Sequence, residues 1–165
     1  MAWNIDILCI RDQGDAASLL PDVFRRTEKE LHFEEASSVM MESALAVGSF
    51  GEWTIVIDTQ GRWTHGDMPF LSDLSKRRKI KTFWIAEAFI YRDYRYGIIR
   101  KGGAERQIAD IEEGRRYLRS RGVEPWDEWG ESIAFQLLEE EVFGKRPEPF
   151  DTTLRRIKYD KYEPD

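Results

Sequence analysis

Few side chains in this sequence could act together as nucleophiles, bases or metal ligands. The 165 residues contain one cysteine and two histidines. Cys9 lies in the apolar run Ile7–Ile10, which favours a buried thiol over a reactive one. His32 and His65 are not spaced as a pair on one helical face, so the sequence predicts neither a zinc site nor a nucleophile with its base. We therefore expect no catalytic residues, no metal and no cofactor.

Carboxylates offer the remaining route to catalysis. With 31 acidic residues, some will be neighbours by chance. His65 with Asp58 and Asp67 could form an acid–base or metal site, and Glu87 interrupts an apolar stretch in which an acid needs a partner or a cleft. A loop histidine and a satisfied ion pair are the simpler interpretations. An acid–base hydrolase that gathers Glu87, Asp58 and His65 in one cleft stays an alternative.

The net charge is distributed unevenly along the chain. Residues 1–122 contain 19 basic and 19 acidic residues, whereas residues 123–165 contain 6 basic and 12 acidic ones, so the whole net charge of -6 arises in the last quarter. A local negative field repels phosphates and speeds encounter with a basic surface. The sequence therefore predicts a basic protein partner and no nucleic acid. The basic run at 76–81 lies at a predicted helix C-terminus, where cations are stabilised.

Two acidic segments of this last quarter form the candidate binding surface. The first surrounds two tryptophans, and large aromatics ringed by charge are typical of interface hot spots. The second is a run of three glutamates in the last turn of a predicted helix, where the helix dipole disfavours them. The predicted partner-binding residues are Trp126, Asp127, Glu128, Trp129, Glu131, Glu139, Glu140 and Glu141. Equally, the two tryptophans could attach the helix to the core.

The elements that must position these residues follow from periodicity and turn residues. The pattern predicts strands over 3–10, 45–48, 53–58, 80–91, 94–101 and 102–108, with turns at 49–52 and at Arg92-Asp93. Helices are predicted over 21–31, 70–78, 111–120 and 127–143, the last with Asp127 as its N-cap and Gly144 at its end. The strand over 80–91 is apolar on both faces, which is typical of a central strand.

These elements predict one α+β domain over residues 1–165, with an antiparallel, twisted sheet of five to six strands and helices mainly on one face. The polar stretch 145–149 leaves residues 146–165 open as an extended tail. No apolar run approaches the length of a membrane span, and the N-terminus has no secretory pattern. We expect a cytoplasmic protein that does not contact a membrane. The oligomeric state is not predicted.

The hairpin stretch 47–61 carries the pattern Gly-x-Trp-x-apolar-apolar-apolar-acid-x-x-Gly from Gly51 to Gly61. Together with Leu71-Ser72 and the strands over 80–101, it resembles uncharacterised bacterial domains of the toxin–immunity neighbourhood type. The resemblance excludes the acidic C-terminal region and carries over no functional residue. It implies a non-enzymatic protein, similar in kind to polymorphic-toxin immunity proteins, that neutralises a cognate toxin by occluding a basic surface or active site.

A ligand-sensing function is the alternative from another class. It would use an aromatic face of the sheet around Trp53, Trp84 and Phe89 to hold a small molecule. Such a site requires a deep apolar pocket with a few convergent polar groups. The position of these three side chains therefore distinguishes a sensing domain from a protein-binding one.

Overall fold

A single antiparallel sheet of eight strands organises the chain. The computed structural model describes residues 4–12, 16–21, 23–38, 41–64, 69–86, 88–94 and 106–164. The strands are β1 (Ile5–Ile10), β2 (Phe24–Leu31), β3 (Leu45–Phe50), β4 (Trp53–Asp58), β5 (Ile80–Ile85), β6 (Phe89–Tyr94), β7 (Arg106–Ile108) and β8 (Tyr159–Pro164). Their order across the sheet is β2-β8-β3-β4-β1-β5-β6-β7, so the fully buried β1 lies near the centre.

Six helices accompany the sheet in the part of the chain that the structure describes. They are α1 (Ala16–Leu19), α2 (Phe33–Ala36), α3 (Pro69–Ser75), α4 (Ile111–Ser120), α5 (Gly130–Leu138) and α6 (Thr153–Arg156). A π-helical turn, Glu139–Phe143, continues α5 and ends at Gly144, whose φ of 63° lies in the left-handed region. Within the described ranges, no helix has the length and apolarity that a membrane crossing requires.

Alternation along the strands produces two hydrophobic clusters, one on each face of the sheet. In β1, Ile5, Ile7 and Cys9 belong to the larger cluster, whereas Leu8 and Ile10 belong to the smaller one. The larger cluster packs under α2, α4, α5 and α6, and the smaller one under α1 and α3. The Cys9 thiol is fully buried, and this burial raises its pKa. The structure thus places the cysteine in the core, as the sequence predicts.

The prediction of an antiparallel α+β fold is confirmed, but the sheet has eight strands rather than five or six. The predicted helix over 21–31 is instead β2, an edge strand. Residues 25–30 of β2 are all exposed, so the sequence shows no alternation of apolar and polar residues that would indicate a strand. Residues 159–164 do not form a detached tail, because β8 pairs with both β2 and β3. Both β2 and β8 are therefore extended because they pair with strands that are distant in sequence.

The predicted strand over 80–91 is two strands. The chain turns between β5 and β6, and Phe83 lies opposite Tyr91 with stacked rings whose centroids are 4.8 Å apart. The turn predicted at Arg92-Asp93 is therefore wrong, because both residues lie within β6. The predicted strand over 94–101 lies outside the described residues beyond Tyr94.

Candidate partner-binding groove

An aromatic groove of about 300 Å³ lies between the start of α5 and the segment that leads into α6. Its walls include Trp126, Trp129, Phe135, Phe150, Glu131 and Arg155. We call this site the aromatic groove. It brings together four of the predicted partner-binding residues, Trp126, Asp127, Trp129 and Glu131, with residues of the C-terminal segment that the sequence did not connect to them.

Two large apolar side chains of the aromatic groove face solvent. Trp129 is 70% exposed and Phe150 is 81% exposed. Phe150 also has a φ of 68°, a left-handed conformation that costs a residue other than glycine about 1 kcal/mol or more. Folding does not bury either ring, and the backbone at Phe150 is strained, so the intramolecular packing of the chain does not account for these two residues.

Hydrogen bonds hold the wall that contains Trp126. The Gln136 side chain is 4% exposed; its Oε1 accepts from the Trp126 backbone N–H at 2.9 Å, and its Nε2 donates to the Glu124 carbonyl at 3.0 Å. The Asp127 carboxylate accepts from the Trp129 N–H at 2.8 Å and from the Ser132 hydroxyl at 2.9 Å. The groove is therefore preformed. The predicted N-cap is wrong, because Trp129 rather than Asp127 occupies that position and α5 starts at Gly130. Asp127 instead holds the turn before the helix.

Two acids without an intramolecular partner among the described residues lie at or beside the aromatic groove. Glu128 is exposed and Glu131 is half-buried, and neither forms a hydrogen bond or ion pair with another described residue. Arg155 pairs with Glu34 at 3.4 Å and lies over the Phe150 ring, 6.0 Å from its centroid. Because the one nearby cation is neutralised by Glu34, the free charge at this edge of the described surface is negative.

The second predicted segment, Glu139 to Glu141, is engaged inside the chain. Glu139 is 1% exposed. Its Oε1 accepts from the Thr153 N–H at the start of α6, and its buried Oε2 has no hydrogen-bond partner among the described residues. Burial raises the pKa of Glu139 to about 7, although the backbone and side chain of Thr153 oppose this shift.

The two glutamates that follow have intramolecular partners as well. Glu140 has a side chain only 8% exposed, lying 3.1 Å from Arg146 Nε and 3.7 Å from Arg121 Nε. Glu141 accepts a hydrogen bond from the Tyr117 hydroxyl of α4. The structure therefore does not bring Glu139, Glu140 and Glu141 to the aromatic groove.

A buried lysine cluster is a feature that sequence reasoning missed. Lys81, in β5, is 5% exposed; its Nζ lies 2.9 Å from the Tyr91 hydroxyl and 3.5 Å from Asp93 Oδ2. Burial lowers the pKa of Lys81 in spite of the opposing effect of Asp93. Lys81 is the last residue of the basic run 76–81. In β5 it lies on the same face as the buried Phe83, two residues on, and this spacing was the signal in the sequence that Lys81 is buried. Lys81 and Asp93 thus form an internal ion pair, in which Asp93 Oδ1 is buried without a hydrogen-bond partner among the described residues.

Of the residues considered for catalysis, the structure describes only Asp58. Asp58 is 2% exposed and accepts hydrogen bonds from the backbone N–H groups of Gln60, Gly61, Trp63 and Thr64, so it holds a turn. His65, Asp67 and Glu87 lie outside the described residues. Among the residues that the structure covers, no group of three or more metal-ligating side chains occurs.

The aromatic sheet face considered for ligand sensing does not form either. Trp53 and Phe89 are buried in the larger cluster beneath the helices. Trp84 is half-buried on the opposite face, by its alternation with Phe83, and its indole N–H donates to Asn4 Oδ1 at 3.4 Å. These three side chains therefore line no common cavity.

Comparisons with known proteins identify no relative. No protein-family model matches the chain, and no curated protein or solved structure is significantly similar to it. The family resemblance of the hairpin stretch therefore stays an expectation, and the function is inferred from the geometry of this chain.

Proposed function

We propose that this chain is a non-enzymatic protein that binds a basic protein partner at the aromatic groove. The observation that carries the proposal is the exposure of Trp129 and Phe150 on a preformed groove that Glu131 lines, with the exposed Glu128 next to Trp129 in the sequence. Aromatic anchors surrounded by polar residues contribute most of the binding energy in protein interfaces. Acids at the rim raise the association rate with a basic surface.

The shape of the groove favours a macromolecular partner over a small ligand. Its volume of about 300 Å³ is at the lower end of ligand pockets. A molecule of that size would leave much of the Trp129 and Phe150 rings in water, whereas a protein surface would cover both. A protein partner therefore accounts for the exposed rings as well as for the groove.

The partner that we propose is a toxin whose basic surface or active site the chain occludes. The local negative charge of residues 123–165 and the resemblance of the hairpin stretch support this proposal. Trp129 precedes α5 and Phe150 precedes α6, so both rings lie on short loops held between structured elements. Rings presented in this way could enter a cleft of the partner with little loss of conformational entropy.

Affinity purification from the cells that make the chain tests this proposal. The baits are the wild-type chain, a Trp129→Ala/Phe150→Ala double variant, and a Val23→Ala control that removes an exposed apolar side chain elsewhere. We expect the wild type and the control to retain a basic protein and the double variant to bind it at least about 30-fold more weakly, equivalent to about 2 kcal/mol. Equal retention by the double variant would refute the aromatic groove as the binding site.

A further inference from the structure

The lining of the aromatic groove combines ring faces with carboxylates. The rings include those of Trp126, Trp129, Phe135 and Phe150, and the acids are Asp127 and Glu131. Ring faces attract apolar groups and cations alike, whereas a carboxylate that loses its water needs a donor or a positive charge. The part of a partner that enters the groove therefore has to suit both kinds of group.

Glu131 disfavours a purely apolar occupant. Its side chain is half-buried and forms no hydrogen bond or ion pair with another described residue. An apolar side chain that filled the groove would remove water from this carboxylate without giving it a partner, which costs free energy. A positively charged occupant offsets that cost. The groove therefore favours a cation over an aliphatic side chain.

The chain itself does not neutralise the acids of the groove. Arg155 is the one cation among the described lining residues, and it pairs with Glu34 at 3.4 Å. Asp127 accepts hydrogen bonds only from uncharged donors, the Trp129 N–H and the Ser132 hydroxyl. Asp127 and Glu131 thus leave the groove with a negative potential that an incoming cation would compensate.

The exposed indole of Trp129 offers such a cation a ring face. Tryptophan attracts a cation through its ring more strongly than phenylalanine does. The chain already contains one contact of this kind in the groove, because the Arg155 guanidinium lies over the Phe150 ring, 6.0 Å from its centroid. Trp129 is 70% exposed, so its ring stays accessible to a guanidinium from outside the chain.

We propose that the aromatic groove recognises an arginine side chain of the partner, whose guanidinium stacks on the Trp129 ring. This inference rests on the proposed function. Arginine fits better than lysine, because its planar guanidinium is weakly hydrated and stacks on aromatic faces. Neutralising Glu131 would remove both its attraction for the guanidinium and the cost of dehydrating the carboxylate, and these two effects nearly cancel. Trp129 is therefore the residue whose replacement tests the inference.

Nuclear magnetic resonance with single amino-acid probes tests this preference without the partner. The probe is Nα-acetyl-arginine amide at millimolar concentration. Nα-acetyl-citrulline amide is its neutral isostere, and Nα-acetyl-lysine amide carries the charge on an ammonium. We expect the arginine probe to shift the Trp126 and Trp129 indole signals in a saturable way. Binding should be about fivefold weaker for citrulline and about threefold weaker for lysine.

Two variants of Trp129 separate the ring face from apolar contact. Trp129→Leu keeps an apolar side chain without a ring, and it should weaken binding of the arginine probe about fivefold. Trp129→Phe keeps a ring and should bind within about twofold of the wild type. The Trp126 indole signal reports binding in both variants. Val23→Ala, which changes an exposed apolar side chain elsewhere, should leave binding unchanged.

The outcomes separate the two proposals. If citrulline or lysine binds as well as arginine, if arginine shifts neither indole signal, or if Trp129→Leu binds arginine like the wild type, the arginine inference is overturned. The aromatic groove then stands as the binding site as long as the Trp129→Ala/Phe150→Ala variant loses the protein partner. If arginine binds as expected but that double variant retains the partner, the preference for a guanidinium stands and the proposed function of the groove fails.

Discussion

Two acidic segments in the same part of the chain have opposite structural roles. Residues 127–131 surround the aromatic groove, and two of their three acids, Glu128 and Glu131, have no intramolecular partner among the described residues. Residues 139–141 lie in the π-helical turn, where Glu139, Glu140 and Glu141 contact α6, two arginines and α4 in turn. Similar composition in the sequence therefore corresponds to a binding surface in one case and to internal contacts in the other.

The difference arises from the position of each segment relative to α5. Residues 127–131 span the N-terminus of this helix, where acids are favoured by the helix dipole and project into solvent. The π-helical turn follows α5 and is enclosed by α4 and α6, so three successive side chains point toward three different neighbours. The dipole disfavours the second segment, but specific partners offset that effect at Glu140 and Glu141.

Charge reversal at Glu140 should produce the largest effect on stability. Glu140→Arg would place a third guanidinium beside Arg121 and Arg146 at a site where the side chain is 8% exposed, and we expect a loss of about 3 kcal/mol in the free energy of unfolding. Urea unfolding measures this loss. The matched reversal Glu128→Arg should change stability by less than about 0.5 kcal/mol. Equal effects at both positions would remove the distinction between the segments.

Glu139 should make stability depend on pH. Its pKa is about 7 in the folded chain, against an ordinary value of 4.5 for a glutamate. The folded state therefore holds this proton more tightly, and the associated stability is present below about pH 4.5 and is lost as the pH rises through about 7. The stability of Glu139→Gln relative to the wild type should therefore rise by about 2–3 kcal/mol between pH 4 and pH 8.

Chemical unfolding of both proteins across this pH range measures the change. Glu112→Gln is the control, because Glu112 is exposed on α4 and its neutralisation should give no comparable slope. If the difference between Glu139→Gln and the wild type is constant with pH, the Glu139 carboxyl does not titrate near neutrality.

The two tryptophans near the aromatic groove differ in burial, as the two acidic segments do. Trp126 is half-buried beside Gln136, so Trp126→Ala should lower the free energy of unfolding by about 1–2 kcal/mol. Trp129 is 70% exposed, so Trp129→Ala should change it by less than about 0.5 kcal/mol. Thermal or urea unfolding of both variants checks this order. A large loss with Trp129→Ala would show that its ring packs against the chain in solution.

The elements that the sequence predicts correctly carry local signals. The β3–β4 hairpin turns at Gly51, which has a φ of 57°, and α4 starts at the Asp110 cap and ends before Gly122, which has a φ of 79°. Each signal lies within a few residues of the element that it defines. Fold class follows from such signals because strand and helix periodicities differ.

The missed strands lack these signals. In β2, six consecutive exposed residues, 25–30, separate the buried Phe24 from Leu31, so neither face is marked as apolar. The strand that pairs with it, β8, lies more than a hundred residues away and is largely polar. Both segments are extended because they pair in the assembled sheet, and local propensity does not encode this pairing.

The binding site was predictable only where its residues are close together in the sequence. Composition identified Trp126, Trp129 and the surrounding acids, because these residues are adjacent in sequence. Phe150, Gln136 and Arg155 were missed, since they join the site only when the chain after α5 folds back along the groove. The roles of Glu139, Glu140 and Glu141 also required the fold, because their partners lie on other segments.

The smallest predicted effect concerns the rate at which the partner binds. A Glu128→Gln/Glu131→Gln variant removes two free charges from the rim of the groove without disturbing any intramolecular partner in the described chain. We expect association with the purified partner to slow by about two- to fivefold at low salt, with little change in dissociation, because rim charges act mainly on encounter. The difference should vanish near 1 M salt, where the screening length is about 3 Å.

A second double variant separates local from overall charge. Glu112→Gln/Glu113→Gln makes the same change in net charge at the start of α4. If position matters, this control should slow association less than the rim variant does, since a screened field decays within about 10 Å at 0.1 M salt. Equal slowing by both variants would mean that the partner responds to the net charge of the chain, and the acids at 127–131 would then have no special part in recognition.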